Sequence, residues 1–212
     1  MKTIFKYFIL VLTVLCCNGK VAAQTEFSIP DAGLTDEQVA MIKIRVAEKT
    51  AQMNDYIAFM ASKKKSLSNR QYYKKKALNL FIGKGYSYTK DGVEVQGVMM
   101  ETTSLSRKKS SHSLIRNYFQ RVIEYKYKDV EIKTTEVPNM KVSELKQIDD
   151  NEYECTCQYD QYFIAYGDGR VILYKDKTTK RITCRITVED TEDGIEFITQ
   201  LGDVSCVCTE AI

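Results

Sequence analysis

Apolar and polar positions along the chain divide it into a helical first half and a strand-rich last third. Val39, Ile42, Val46, Met53, Ile57 and Met60 recur at helical spacing, which predicts one long helix over 36–61 with a buried stripe. Lys49 interrupts that stripe, but its stem can lie along apolar surface. Thr35 is placed to cap the first turn and Gln38 to reach back, with Leu34 and Val39 spaced as a hydrophobic staple. The same signal repeats at Leu67–Tyr72, with Ser68 as the expected cap, Gln71 as its partner and Leu67 and Tyr72 as the staple. Tyr73, Ala77, Leu80 and Phe81 continue that second apolar side until Gly83 and Gly85 end it. Leu114, Tyr118, Phe119, Val122 and Ile123 fit a third, shorter helix.

Between and after these helices the period falls to two. Tyr86 and Tyr88 alternate with polar residues up to Asp91-Gly92, a hairpin turn signal. Val93, Val95, Val98, Met99 and Met100 form the expected return strand, with a bulge at Gly97. Ser104–Ser113 reads as a basic, hydroxyl-rich loop, and residues 130–134 as a half-exposed strand ended by Pro138. Tyr153–Tyr166 reads as one long strand, or two separated near Asp160, with a turn at Gly167-Asp168-Gly169. Arg170–Tyr174 begins the return, Lys175–Lys180 reads as a polar turn, and Ile182, Cys184, Ile186 and Val188 alternate strictly. Ile195, Phe197 and Val204–Cys208 complete the expected meander.

Helix, helix, hairpin, helix and then long strands is the order of an α+β layer fold with helices on one face of a sheet. Repeating βαβ units are absent, which excludes a doubly wound parallel sheet, and two leading helices exclude an OB-fold or a sandwich. The order resembles the NTF2-like superfamily, also described as cystatin-like or SnoaL-like, over about residues 35–210. That resemblance implies a cone: N-terminal helices packed on a strongly curved antiparallel sheet whose open end forms a pocket. Members include isomerases, dehydratases, transport factors and simple binding domains, so the resemblance does not fix an activity. Tyr72–Phe81 and Ile115–Phe119 also resemble segments of small secreted proteins from gut Bacteroidetes.

The first residues add a compartment. Lys2 and Lys6 precede the apolar run Phe8–Leu15, and Val21-Ala22-Ala23 supplies a small-residue cleavage site. The run is too short to span a bilayer, which needs about 20 apolar residues. The expected organisation is a signal peptide over 1–23, a lead-in over 24–34 and a single domain over 35–212, released to the periplasm or outside the cell. A lipoprotein signal would carry a small residue before its cysteine, whereas Leu15 precedes Cys16 and Cys16 precedes Cys17. The leader holds Lys2, Lys6 and Lys20 and no acid, so it accounts for the net charge of +3. What remains is balanced, against the basic excess of a nucleic-acid binder.

Candidate chemistry is sparse. Cys155, Cys157, Cys184, Cys206 and Cys208 are odd in number, and export would permit disulfides, leaving at least one thiol free or bonded between molecules. Buried free thiols and a thiolate metal site are the alternatives. The i, i+2 spacing on strands holds sulfurs about 6–7 Å apart, awkward for tetrahedral zinc, so no metal is expected. His112, the single histidine, lies in the basic loop, and Asp160 interrupts a strand-like run; each is a candidate acid or base. Neither has a sequence neighbour that completes a catalytic set, and enzymes with the resembled fold typically use an Asp–His pair or a buried acid. Tyr153, Tyr159, Tyr162, Tyr166 and Tyr174 crowd one sheet region and could line a concavity that binds an apolar or glycan-like molecule. Packing on a half-buried sheet is the plainer reading of the same residues. No P-loop, zinc-protease motif or serine triad is present.

The expected function is therefore an exported, non-enzymatic binding module without cofactor, with a small-molecule or protein partner and a homodimer among the candidates. The alternatives are a small isomerase or hydrolase using Asp160 or His112, and a structural protein–protein interaction domain.

Overall fold

Helix α1 (Asp36–Ala61) begins where the capping box places it. Thr35 Oγ1 accepts from the Gln38 N–H at 3.2 Å, and Gln38 Oε1 accepts from the Thr35 N–H at 2.8 Å. Its stripe of Ile42, Val46, Met53, Ile57 and Met60 is buried, as the periodicity requires. The computed structural model describes residues 33–107, 109–192 and 194–212; the expected signal peptide and nearly all of the lead-in lie outside them.

Helix α2 (Leu67–Leu78) starts two residues earlier than the capping pattern suggests. Ser66 is the cap, its Oγ accepting from the Asn69 N–H at 3.2 Å, while Ser68 Oγ lies 3.0 Å from Ser66 Oγ. Leu67 and Tyr72 are both exposed. Strands β1 (Tyr88–Lys90) and β2 (Val93–Val95) form the expected hairpin, with Asp91 and Gly92 both at positive φ. The return strand then breaks. At Gly97 an added Cβ would meet the Gly85 carbonyl oxygen and the Tyr86 carbonyl carbon at 2.9 Å. The chain passes that crossing and joins a second sheet as β3 (Met99–Thr102), paired with β4 (Ser111–Leu114). The end of the expected basic loop is thus a strand, and helix α3 (Ile115–Ile123) follows it directly.

The main sheet adds β5 (Asp129–Thr134), β6 (Lys141–Val142), β7 (Lys146–Asp149), β8 (Glu152–Tyr166), β9 (Ile172–Thr191) and β10 (Gly194–Glu210). Its order is β4-β3-β10-β9-β8-β5, with β6 and β7 also paired to β8. The fold is α+β, with helices over a core sheet. The expected cone on a strongly curved antiparallel sheet is corrected on two counts. The sheet is mixed, because β10 pairs in parallel with β3 at Val204 and Met100. It is also not strongly curved: β8 and β9 keep one register from Glu152 opposite Thr187 to Ala165 opposite Tyr174. The one irregularity of that ladder lies at its end, between Ala165 and Tyr166, and the shifts of the β9–β10 ladder lie at Leu201/Val204 and Cys206/Cys208, so β8 is one unbent strand through Asp160.

A second difference concerns β9. The segment Lys175–Lys180 is a strand, not a turn. It contains no Gly, Pro or Asn to break the pairing, and its polar side chains alternate between faces like the apolar ones that follow. The helix-facing side of β8 and β9 carries Tyr153, Cys155, Cys157, Tyr159, Ile182, Cys184, Ile186 and Val188, which pack with α1 and Phe119 of α3 into one core. Towards Gln161 on β8 and Asp176 on β9 that face turns polar while remaining buried. Among the described residues no helix is long and apolar enough to cross a membrane.

Candidate ligand pocket

Three residues spaced by two on β9, Asp176, Thr178 and Lys180, point to the helix side of the sheet at its polar end. Opposite them on β8 stand Phe163, Gln161 and Tyr159. All of these except Tyr159, together with α3, the Tyr125–Tyr127 connection and the loop between β3 and β4, line a cavity of about 300 Å³, at the lower end of the range for small-molecule sites.

Lys180 is 4% exposed and makes no salt bridge among the described residues. Its Nζ lies 3.9 Å from the Met100 thioether sulfur and 5.7 Å from the centre of the Tyr118 ring. Burial holds the amine below its ordinary range, against the weaker attraction of Cys206, Asp176 and Glu101. Asp176 is 5% exposed, and burial raises its carboxyl above the usual range. Its Oδ2 accepts from the Tyr174 hydroxyl at 2.5 Å. That hydroxyl in turn accepts from Ser104 Oγ at 3.1 Å and from the Leu105 N–H at 3.0 Å, tying the β3–β4 loop to the pocket wall.

The remaining wall is phenolic and cationic. Burial pushes the Tyr125 hydroxyl up to about 12 and Tyr118 well above its ordinary value, so both stay protonated donors at neutral pH. Arg107 and Arg121 line the same cavity, and Arg121 Nη2 also donates to Ser113 Oγ at 2.6 Å. On the floor, Gln161 Nε2 donates to Asn54 Oδ1 of α1 at 2.7 Å, and Asn54 Nδ2 donates to the Thr50 carbonyl at 2.9 Å. This buried chain fixes the amide orientation and holds α1 against β8.

Among the five sheet tyrosines, only Tyr174 lines the cavity. Tyr153 and Tyr159 are buried in the core, and the Tyr159 hydroxyl has no hydrogen-bond partner among the described residues. Tyr162 alternates to the other face, while Tyr166 donates to Glu131 Oε2 at 2.9 Å. Asp160 also lies on that other face, where its Oδ1 accepts from Thr179 Oγ1 at 2.6 Å and its Oδ2 is 3.6 Å from Lys177 Nζ. His112 sits exposed on β4 with Nε2 3.6 Å from Glu101 Oε1, outside the cavity lining. Glu101 is itself held below the usual carboxylate range, chiefly by the Cys206 N–H that it accepts at 2.9 Å.

All five described cysteines are free thiols. Cys155 and Cys184 are directly opposed on β8 and β9, so they are the pair the register brings together. Cys157 faces the Met140 sulfur at 4.0 Å, and Cys208 is exposed. No group of three potential metal ligands exists among the described residues.

The pocket residues Asp176, Thr178 and Lys180 fall inside the segment whose polarity suggests a turn. The signal that identifies them is the lack of any Gly, Pro or Asn between Leu173 and Ile182, combined with the adjacent Thr178 and Thr179, which suit strands.

No protein-family model matches the chain, and no curated protein does. Among solved structures it is similar to a Novosphingobium aromaticivorans protein provisionally assigned as a scytalone dehydratase, at 10% identity and a TM-score of 0.36 over 80% of this chain and 91% of that one. It is similar to the Kfla4162 protein of Kribbella flavida at 11% identity and a TM-score of 0.35, over 82% and 95% of the two chains. A third likeness is to a hexachlorocyclohexane dehydrochlorinase, LinA type 2, at 8% identity and a TM-score of 0.34, over 80% and 91%. The expected resemblance to Bacteroidetes proteins finds no support in these matches. The chemistry of the pocket is therefore read from its own residues.

Proposed function

We propose that the chain is an exported module that binds a small, polar, anionic organic molecule in the cavity at the polar end of β8 and β9. The observation that carries this reading is the basic lining of the cavity: Lys180, buried and in no salt bridge among the described residues, with the guanidiniums of Arg107 and Arg121. A ligand anion would pair with that positive charge, which the guanidiniums carry whatever the protonation state of Lys180. Arg107 and Arg121 add positive charge on the same lining, while Tyr118, Tyr125 and Tyr174 offer hydrogen bonds and apolar ring faces. This shifts the expected ligand away from a purely apolar or neutral glycan-like molecule.

The test is equilibrium binding by calorimetry with matched carboxylates and their amides. Carboxylates are expected to bind and the amides not, with Arg121→Ala weakening binding by about tenfold, or roughly 1.4 kcal/mol. Equal binding of acid and amide, or none of either, would remove the proposal.

A second reading is acid–base catalysis in the same cavity. It is favoured by Asp176, a buried carboxyl with a raised pKa hydrogen-bonded to a tyrosine, a pattern found at active sites. Asp176 takes the place expected for Asp160 or His112. Turnover of a bound ligand that disappears in Asp176→Asn, with binding retained, would establish it.

A further inference from the structure

We infer that Lys180 is a carbonyl-binding amine and that the ligand class is a small oxo acid, held by its carboxylate on Arg107 and Arg121 and by its carbonyl carbon on Lys180 Nζ. This deepens, and rests on, the anion-binding reading of the same cavity.

The argument begins with the surroundings of Nζ. A thioether at 3.9 Å and an aromatic ring at 5.7 Å flank it, and the acids that attract it, Asp176 and Glu101, form no salt bridge with it among the described residues. Desolvation favours the uncharged amine, whose lone pair is the nucleophile in imine formation. A lysine serving only as a fixed cation would be better placed in partial solvent, where its charge costs less. The two guanidiniums keep their charge and can hold a carboxylate, so the cavity offers two distinct functions to two ends of one molecule. Its volume of about 300 Å³ exceeds that of one or a few waters and suits a ligand of this size.

The third requirement is a proton carrier. Asp176 stands four residues before Lys180 on the same strand face, hydrogen-bonded to Tyr174, and lines the same cavity. In the inferred step the Nζ lone pair attacks the carbonyl carbon and a C–N bond forms. The C–O π pair moves to oxygen, which gains a proton as nitrogen loses one, giving the carbinolamine. The nitrogen lone pair then expels the hydroxyl group, which leaves as water with a proton relayed from Asp176 through water in the cavity. Loss of the remaining N–H proton returns one to Asp176 by the same route. Amine and carbonyl become imine and water, with no oxidant or reductant consumed.

The test uses the full chain with pyruvate and sodium cyanoborohydride, followed by intact-mass and peptide analysis. One reductively attached pyruvate on Lys180 is expected, with labelling slowed by excess lactate, which shares the carboxylate but lacks the carbonyl. K180R and K180M are expected to lose that adduct while keeping the circular dichroism of the parent; site mapping on the parent decides the matter if either variant does not fold. Labelling spread over exposed lysines at the rate seen in K180M would overturn the inference. Calorimetric binding of pyruvate and lactate with equal affinity and no adduct would also overturn it, yet leave the anion-binding pocket standing. Absence of both binding and adduct would remove the two together.

Discussion

Lys180 and Asp176 carry opposite penalties for the same reason, burial of a charge, and they should be visible in stability as well as binding. Lys180 has a folded pKa below its ordinary value of 10.5, so the unfolded chain binds more protons in the interval between the two. Stability should therefore rise with pH across that interval as the unfolded amine deprotonates. Asp176 has a folded pKa above its ordinary value of 3.8. Its contribution is fully present below 3.8 and is lost as pH rises through the folded value. Urea denaturation at stepped pH is the measurement. K180M should be at least as stable as the parent at pH 7 and lose the alkaline rise, and D176N should lose the acidic fall. An unchanged alkaline slope in K180M would show that Lys180 is not the group responsible.

At the scale of elements, capping and close approach make separable predictions. Ser66→Ala should cost about 1 kcal/mol, since its hydroxyl oxygen accepts an otherwise orphaned N–H of α2. Ser68→Ala should be near neutral because its hydroxyl only meets that of Ser66. Gly97→Ala should cost roughly 1–3 kcal/mol, the range for overpacking, because a backbone crossing occupies the space of a Cβ. Thermal or chemical denaturation of the three variants settles the ranking. The long helix was legible because Thr35, Gln38 and an apolar stripe all agree on one start and one face. The start of α2 was not, because Ser66 and Ser68 are chemically equivalent caps and only the tertiary packing of the helix chooses between them. The pocket was least legible. Asp176, Thr178 and Lys180 alternate correctly for a strand, but a buried polar face looks in sequence like a solvated one. Asp160 misled for the complementary reason: it sits in a strand-like run, yet its parity on β8 sends it to the face away from the helices. Curvature was equally hidden, since it depends on bulges that adjoining strands impose on each other rather than on either strand alone.

For the whole molecule, thiol placement separates inert from reactive sulfur. Cys155, Cys157 and Cys184 are buried in the core, and burial pushes the Cys157 thiol up to about 11. Cys208 is exposed on β10. Mild air oxidation should yield a disulfide-linked dimer on a non-reducing gel, abolished by Cys208→Ser and unaffected by Cys157→Ser. Dimer that persists in Cys208→Ser would transfer that role to another sulfur.

The parallel contact between β3 and β10 also sets an order of assembly. Strands β8, β9 and β10 are joined in sequence by turns, so each can pair with the next by closing a short loop. Met100 meets Val204 only after more than half of the described chain has been drawn into one loop, a closure with a larger entropy cost and one that contributes late. Stopped-flow kinetics should therefore show Ile182→Val slowing folding and Met100→Ala mainly hastening unfolding. Because Met100 is also the thioether beside Lys180, the surroundings of that amine would be complete only at the last stage of folding. Truncated or partly folded chains would then have an intact meander and no competent site.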